Sequence, residues 1–318
     1  MSQANETSES TTAQLKSIAR STARWTIPAA VMDHIRRFAT RTRKPTPTPD
    51  EIEIQRLEKI PNDVPGIANL GGETFHFTDA YTFLWEHQQI FKNKCYDFPC
   101  NDESPVIIDC GANIGMAARY WLSKFPQANV IAFEPDPQIF AVLQKNMQPY
   151  QSARIQLYNA ALWNSETRLE FRVTGSESGH LAHSQREQSG ETVSVKTLRL
   201  SPFLDRKVDF LKIDIEGSEV DVIVEAHEKL RNVKSLWLEY HSLLHVPQRL
   251  SKILSVLEQQ GFRYHLVTES VSERPLQKLE ASYGMDQRLN IWAYQGDQFP
   301  MTHEREQHDR PTSALEDS

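Results

Sequence analysis

Residues Val106 to Gly115 read V-I-I-D-C-G-A-N-I-G. An apolar run, Val106-Ile107-Ile108, ends in Asp109. Gly111 and Gly115 follow, and Ala117-Ala118-Arg119-Tyr120-Trp121-Leu122 then has helical character. A buried strand, a glycine turn and a helix start form the entry unit of a doubly wound α/β sheet. Ligands of such sheets bind beyond the carboxyl ends of the strands, where this turn lies. A dinucleotide turn reads G-x-G-x-x-G, and its second glycine lets the backbone approach a pyrophosphate. Counted from Gly111, that position is Asn113 and the third is Met116, so the spacing here is G-x-x-x-G. Asp109, just before the turn, would repel a pyrophosphate and attract an ammonium or a sulfonium. The expected cofactor turn, Asp109, Gly111, Ala112, Asn113 and Gly115, therefore suits S-adenosyl-L-methionine, which has an amino-acid end and no phosphate. A tight turn without a ligand is the alternative.

Two further strands end in acids. Val130-Ile131-Ala132-Phe133 runs into Glu134-Pro135-Asp136. An acid about twenty residues past the turn is placed to hydrogen-bond ribose hydroxyls, and a carboxylate accepts from two vicinal hydroxyls at once. A nicotinamide cofactor would use Glu134 in the same way. Pro135 and Pro137 stop the strand, and Asp136 reads as the N-cap of the next helix. Val208 to Ile213 runs into Asp214-Ile215-Glu216-Gly217-Ser218-Glu219. Asp214 is expected to face the same crevice as Asp109, suiting a cationic cofactor or a proton transfer. Glu219 reads as a first-turn acid of the following helix.

The third strand, Arg154 to Tyr158, ends in Asn159-Ala160-Ala161-Leu162. A small residue at Ala160 leaves room for a flat adenine, whose edge Asn159 or backbone groups can meet; a plain packing alanine would look the same. Ser235 to His241 is a strand ending in polar groups at the same edge. Glu239 and His241 there can bind substrate or act as base. With Asp214 they also have the chemistry to hold magnesium or manganese, but sequence separation sets no geometry and no metal ligand is assigned. Leu169–Val173 and Thr192–Leu198 read as strands joined by a polar loop, residues 174–191. That loop contains His180, a candidate base beside the flexible Ser178-Gly179, and His183; ordinary exposed histidines are the alternative. The candidate catalytic set is Asp214, Glu239, His241 and His180.

D-C-G-A-N-I-G, F-E-P-D-P, N-A-A-L and L-K-I-D-I-E-G-S-E, in this order and spacing, resemble the FkbM family of S-adenosylmethionine-dependent methyltransferases over roughly residues 70–295. The resemblance implies the class I methyltransferase fold, an α/β architecture. It has a seven-stranded, mostly parallel, doubly wound sheet with helices on both faces and one antiparallel strand near an edge. It also implies O-methylation of a hydroxyl on a sugar, a glycolipid-like molecule or a polyketide. Two rivals remain. A nicotinamide-dependent oxidoreductase would need the glycine that Asn113 replaces. A non-catalytic cofactor-binding scaffold would not need acids at three strand ends.

The chain has 318 residues and a net charge of −7, from 35 Lys plus Arg against 42 Asp plus Glu. That balance argues against nucleic acid as the main partner, which would favour a basic face, and leaves room for a local basic patch. The small-molecule acceptor is what the resemblance implies. Three cysteines without a C-x-x-C support neither a disulfide framework nor a zinc site. No secretory signal or membrane span is read, so a reducing cytoplasm is expected. The expected division is an N-terminal extension over residues 1–50, a catalytic domain over 51–296 and a disordered tail over 297–318. The extension begins with a polar segment, residues 1–24. Trp25, Ile27, Val31, Ile35 and Phe38 then fall at helical spacing beside a basic run to Lys44, and Lys44 to Pro49 reads as a stiff linker. Residues 25–44 suit either a peripheral membrane or protein contact, or a helix packed on the domain. Residues 73–79 read as a strand, and the helix after it, from about Ala80 to Lys92, offers Tyr81, Trp85 and His87 as lid residues.

Overall fold

A computed structural model describes residues 46–150, 153–173, 180–181, 191–244, 246–269, 272, 274–281 and 284–296. The expected helix over Trp25–Phe38, the basic run after it, most of the 174–191 loop and the C-terminal tail lie outside the described residues. Contacts separate a unit Pro49–Ser318 from the residues before it, and that unit carries every element below.

Helix α1, Pro49–Leu57, starts on a proline, which suits the first helical position because its missing N–H is not needed there. Pro49 therefore opens a helix where the sequence suggested the end of a linker. Strands β1, Gly66–Leu70, and β2, Glu73–Phe77, form a hairpin across Gly71-Gly72. Helix α2, Ala80–His87, is capped by Asp79, whose side chain accepts from the Thr82 N–H, and continues as a wider turn over Gln88–Lys92. Then follow β3, Val106–Cys110; α3, Met116–Lys124; β4, Asn129–Phe133; and α4, Pro137–Met147, capped as expected by Asp136. Strands β5, Ile155–Tyr158; β6, Ala161–Leu162; β7, Arg168–Val173; β8, His180–Leu181; and β9, Glu191–Leu198, come next. The chain continues through β10, Val208–Ile213; α5, Glu219–Glu225; β11, Val233–Leu243; α6, Leu250–Gln259; β12, Phe262–Thr268; and β13, Met285–Gln295.

Seven strands form the main sheet in the order β12-β13-β11-β10-β3-β4-β5. From β11 to β5 every neighbour is parallel, and β13 runs antiparallel to both of its neighbours. The sheet matches the expected α/β class, with its antiparallel strand one place from the edge. The two strands read at 169–173 and 192–198 are not part of it. They are β7 and β9 of a second, four-stranded sheet, β6-β9-β7-β8.

Period-two alternation explains both cores. Ile107, Val130, Ala132, Phe210 and Trp237 point to one face, where α2, α3, α4 and the hairpin pack. Ile108, Ile131, Phe133, Leu211 and Leu236 point to the other, under α5 and α6. Continuous apolar runs are what a sheet buried on both faces requires. Asp109 and Lys212 interrupt those runs on the first face, and they lie opposite each other in register.

Candidate active site

The β3–α3 turn is built against its neighbours. The N–H groups of Gly111 and Ala112 both donate to the Phe133 carbonyl, at 3.0 and 2.8 Å, and the Asp214 N–H donates to the Cys110 carbonyl at 3.0 Å. This ties the ends of β3, β4 and β10 together. Gly111 has φ +84°, and a Cβ there would lie 1.8 Å from the Asp214 carbonyl oxygen. Asn113 has φ 49°. Asparagine tolerates this left-handed backbone better than most residues, so it can occupy a slot where a dinucleotide turn would use glycine. Its N–H donates to Glu134 Oε2 at 2.9 Å, and its side-chain amide donates to Glu86 Oε1 at 2.8 Å.

Above this turn opens a cavity of about 840 Å³. Gly111, Ala112, Asn113, Glu134, Pro135 and Ala160 line one part of it, and Asp214, Glu239 and His241 line another. These nine expected site residues are therefore brought together. Three others are not in the wall. Gly115 starts α3. The exposed Asn159 spends its side-chain amide on the carbonyls of Glu134 and Pro135, at 2.9 and 3.0 Å, so it secures the turn after β4. Asp109 is fully buried and faces the Lys212 ammonium at 3.2 Å. His180 lies in β8 opposite Arg172, and its side chain is outside the described residues. Of the expected lid residues, Tyr81 and Trp85 are exposed and line the cavity. His87 is buried and stacks on Phe91 at 4.9 Å, so it belongs to the core.

Charge dominates the cavity. Lys212 Nζ also donates to the Gly111 carbonyl at 2.7 Å and lies 3.9 Å from Asp214 Oδ2. Its carboxylate neighbours, Asp109 first, outweigh burial and raise its pKa. Glu134 accepts the N–H groups of Asn113 and Asp136, yet burial pushes its pKa up to about 8. Burial likewise raises Glu86, on α2, to about 7. His241 has Glu219 Oε1 at 2.8 Å from Nδ1. Around Nε2 lie Glu239 at 3.2 Å, Glu216 at 3.7 Å and Asp214 at 3.9 Å. Burial opposes the charged imidazole, but these acids, led by Glu216, hold its pKa well above the usual value. Glu219, expected only as a first-turn acid, is fully buried; the oxygen that meets His241 also accepts the Gly217 N–H at 2.8 Å.

Residues 109–264 match the model of the methyltransferase FkbM domain. The chain carries an FkbM methyltransferase domain. Methyltransferase 1 of Beauveria bassiana is 32% identical over 160 residues, 43% of this chain and 64% of that protein. The 2-O-methyltransferase NoeI of Sinorhizobium fredii is 29% identical over 155 residues, 43% of this chain and 63% of that protein. The 31-O-demethyl-FK506 methyltransferase FkbM of Streptomyces tacrolimicus is 26% identical over 226 residues, 60% of this chain and 86% of that protein. The chain thus spans less than two thirds of the first two relatives. The FkbM-domain match begins at Asp109 and stops at Tyr264 within β12. It leaves out α2 and β13, which bring Glu86, Trp85, Arg288 and Asn290 to the cavity wall.

Sequence reasoning passed over Glu86, Lys212, Glu216 and the β13 wall. Lys212 carried a usable signal: a lysine between apolar residues of a buried strand must have an acid opposite it. Glu86 carried none, because only the fold brings α2 over the Asn113 turn.

Proposed function

We propose that this protein transfers the methyl group of S-adenosyl-L-methionine to a hydroxyl of a sugar, glycolipid or other small-molecule natural product. The observation that carries this reading is the convergence of Glu134, Glu86 and Asp214 on a turn that lacks the pyrophosphate glycine. The donor set fits the cofactor. Glu134 uses one lone pair of each oxygen on a backbone N–H and keeps others for ribose hydroxyls. Ala160, buried and small, leaves space for adenine. Glu86 and Asp214 suit the ammonium end. Asn113 Oδ1, buried without a hydrogen-bond partner, offers a further acceptor.

Bound S-adenosyl-L-methionine supplies an activated methyl group. The chain then has two tasks, to align the acceptor oxygen and to take its proton. Alignment can contribute several kcal/mol, up to roughly ten, and a base typically contributes about 10²–10⁴-fold. Among the candidates, His241 engages Glu219 and Glu239 through its two ring nitrogens, and Asp214 faces Lys212 and, in this reading, the ammonium end of the cofactor. Glu239, in the wall and 3.4 Å from Arg288 Nε, is the proton acceptor in this reading. The names of two relatives, a 2-O-methyltransferase and a 31-O-demethyl-FK506 methyltransferase, support oxygen as the acceptor atom.

Calorimetric titration of the full chain with S-adenosylmethionine, S-adenosylhomocysteine and NADH tests the reading. Micromolar binding of the first two without NADH is expected, with Glu134→Ala weakening both at least tenfold. Binding of NADH alone, or an unchanged affinity in Glu134→Ala, would overturn it. A glycoside acceptor screen then follows, in which Glu239→Gln lowers kcat more than it raises KM.

A further inference from the structure

We infer that Asp214, Glu216 and His241 form a divalent-cation site in the wall of the same cavity. One carboxylate oxygen from each acid and a ring nitrogen of His241 lie within 4.8 Å of one another. His241 Nε2 stands 3.9 Å from Asp214 Oδ1 and 3.7 Å from Glu216 Oε2. A six-coordinate ion with bonds of about 2.1 Å holds adjacent donors about 3.0 Å apart and opposite donors about 4.2 Å apart. The two distances from Nε2 fall inside that range, so both acids stand close enough to His241 to share an ion with it.

The orientation of the imidazole is a separate reason. A metal-bound histidine almost always donates its other ring N–H to a carboxylate, which fixes the tautomer and strengthens the ligating nitrogen. His241 has that support: Nδ1 meets Glu219 Oε1 at 2.8 Å, and both side chains are buried. Glu219 Oε2 is buried with no hydrogen-bond partner, so the charge of this carboxylate bears on the ring. Nε2 is thereby left as the ligating atom, with Glu239 at 3.2 Å and Glu216 and Asp214 beyond it at 3.7 and 3.9 Å. Four carboxylates gather on this imidazole, and a divalent ion at Nε2 would take the place of the ring proton as the positive charge among them. One nitrogen with carboxylate oxygens suits a first-row divalent ion, and manganese is the practical probe.

The role of the ion rests on the methyl-transfer reading. Bound to the acceptor hydroxyl, it lowers the pKa of that group. The O–H proton passes to Glu239, the oxygen forms its bond to the methyl carbon, and the carbon–sulfur bond breaks to leave the neutral thioether.

The test uses the full chain, stripped with EDTA and dialysed, and titrated with manganese chloride. Free Mn(II) is followed by its paramagnetic resonance, without S-adenosylmethionine. One ion per chain with a micromolar dissociation constant is expected. Glu216→Gln and His241→Ala should each weaken it at least tenfold, and Glu219→Gln by about 10–100-fold through loss of ring support. Circular dichroism melting checks that each variant is folded. If His241→Ala does not fold, the less buried Glu216→Gln carries the test. No saturable uptake below millimolar manganese would overturn the proposal. So would uptake unchanged in folded Glu216→Gln and Glu219→Gln. S-adenosylmethionine titration of the same metal-free protein separates the two readings. Cofactor binding without manganese binding overturns only the cation site, and the reverse overturns only the methyl-transfer reading.

Discussion

Lys212 stands in a strand whose six residues are all buried. Its ammonium faces Asp109 at 3.2 Å, reaches the Gly111 carbonyl at 2.7 Å and approaches Asp214 at 3.9 Å. The Tyr96 ring lies 5.6 Å away. Such a pair is weak evidence for net stability, because two charges have left water. Removing one partner is another matter, since it strands the other charge in the interior at a cost of about 3–5 kcal/mol. Lys212→Met should therefore lose about that much in urea denaturation. The double variant Asp109→Asn/Lys212→Met should recover most of it, because no buried charge remains. The deficit of the single variant should also shrink in acid, where Asp109, already pushed up by burial, takes a proton. A single variant as stable as the parent would show that Asp109 is neutral in the native protein. Lys212 also anchors the Gly111 carbonyl, so it positions the β3–α3 turn.

At the scale of elements, the ends of β3 and β10 approach so closely that one hydrogen atom decides the fit. A methyl group at Gly111 would meet the Asp214 carbonyl oxygen at 1.8 Å, and backbone cannot swing aside as a side chain can. Gly111→Ala should cost several kcal/mol and abolish cofactor binding. Gly72→Ala provides the control. It has a similar left-handed φ, +79°, but no heavy atom within 4 Å, so only the backbone cost of about 1 kcal/mol applies. Comparable losses at the two sites would refute the close-approach explanation. This strand–turn–helix unit is legible in the sequence because its signals are local: an apolar run, an acid, then glycines at fixed spacing. The acids Glu134 and Asp214 are legible for the same reason, each directly following an apolar strand, whereas Glu239 lies inside β11. The β1–β2 hairpin also has a local signal, Gly71-Gly72, but β1 itself, G-I-A-N-L, is short and easily read as loop. Pairing is harder. Nothing local distinguishes β7 and β9 from main-sheet strands, and their separate sheet with β6 and β8 follows from long-range register. Glu86 and Glu216 reach the site by the fold of α2 and by a left-handed turn at Glu216, φ 55°, neither of which has a compositional mark.

For the whole molecule, the buried acids make stability depend on pH in a direction that the ligand should reverse. Glu134 titrates at about 8 and Glu86 at about 7 in the folded chain, against an ordinary value of 4.5. Between pH 4.5 and those values the folded state binds more protons than the unfolded state. Stability from these groups is thus complete below about pH 4.5 and declines as pH rises through 7 and 8. Asp79 and Asp97 act oppositely. Hydrogen bonds to Asp79 and the Lys124 ammonium and Tyr120 hydroxyl at Asp97 keep those pKa values low, so their contribution disappears only in stronger acid. The ligand-free protein should therefore be most stable in mild acid, with a melting temperature that falls from about pH 5.5 to about pH 8.5. A cationic cofactor favours the ionised carboxylates, so its affinity should rise over the same interval, and saturating S-adenosylmethionine should remove most of the fall. Scanning fluorimetry at matched ionic strength measures both slopes. Glu134→Gln, which cannot titrate, should flatten the ligand-free slope and leave less for the cofactor to restore. A melting temperature that is level from pH 5.5 to 8.5 in the ligand-free protein would mean that these carboxylates are already ionised. The cavity would then hold its negative charge before any cation arrives.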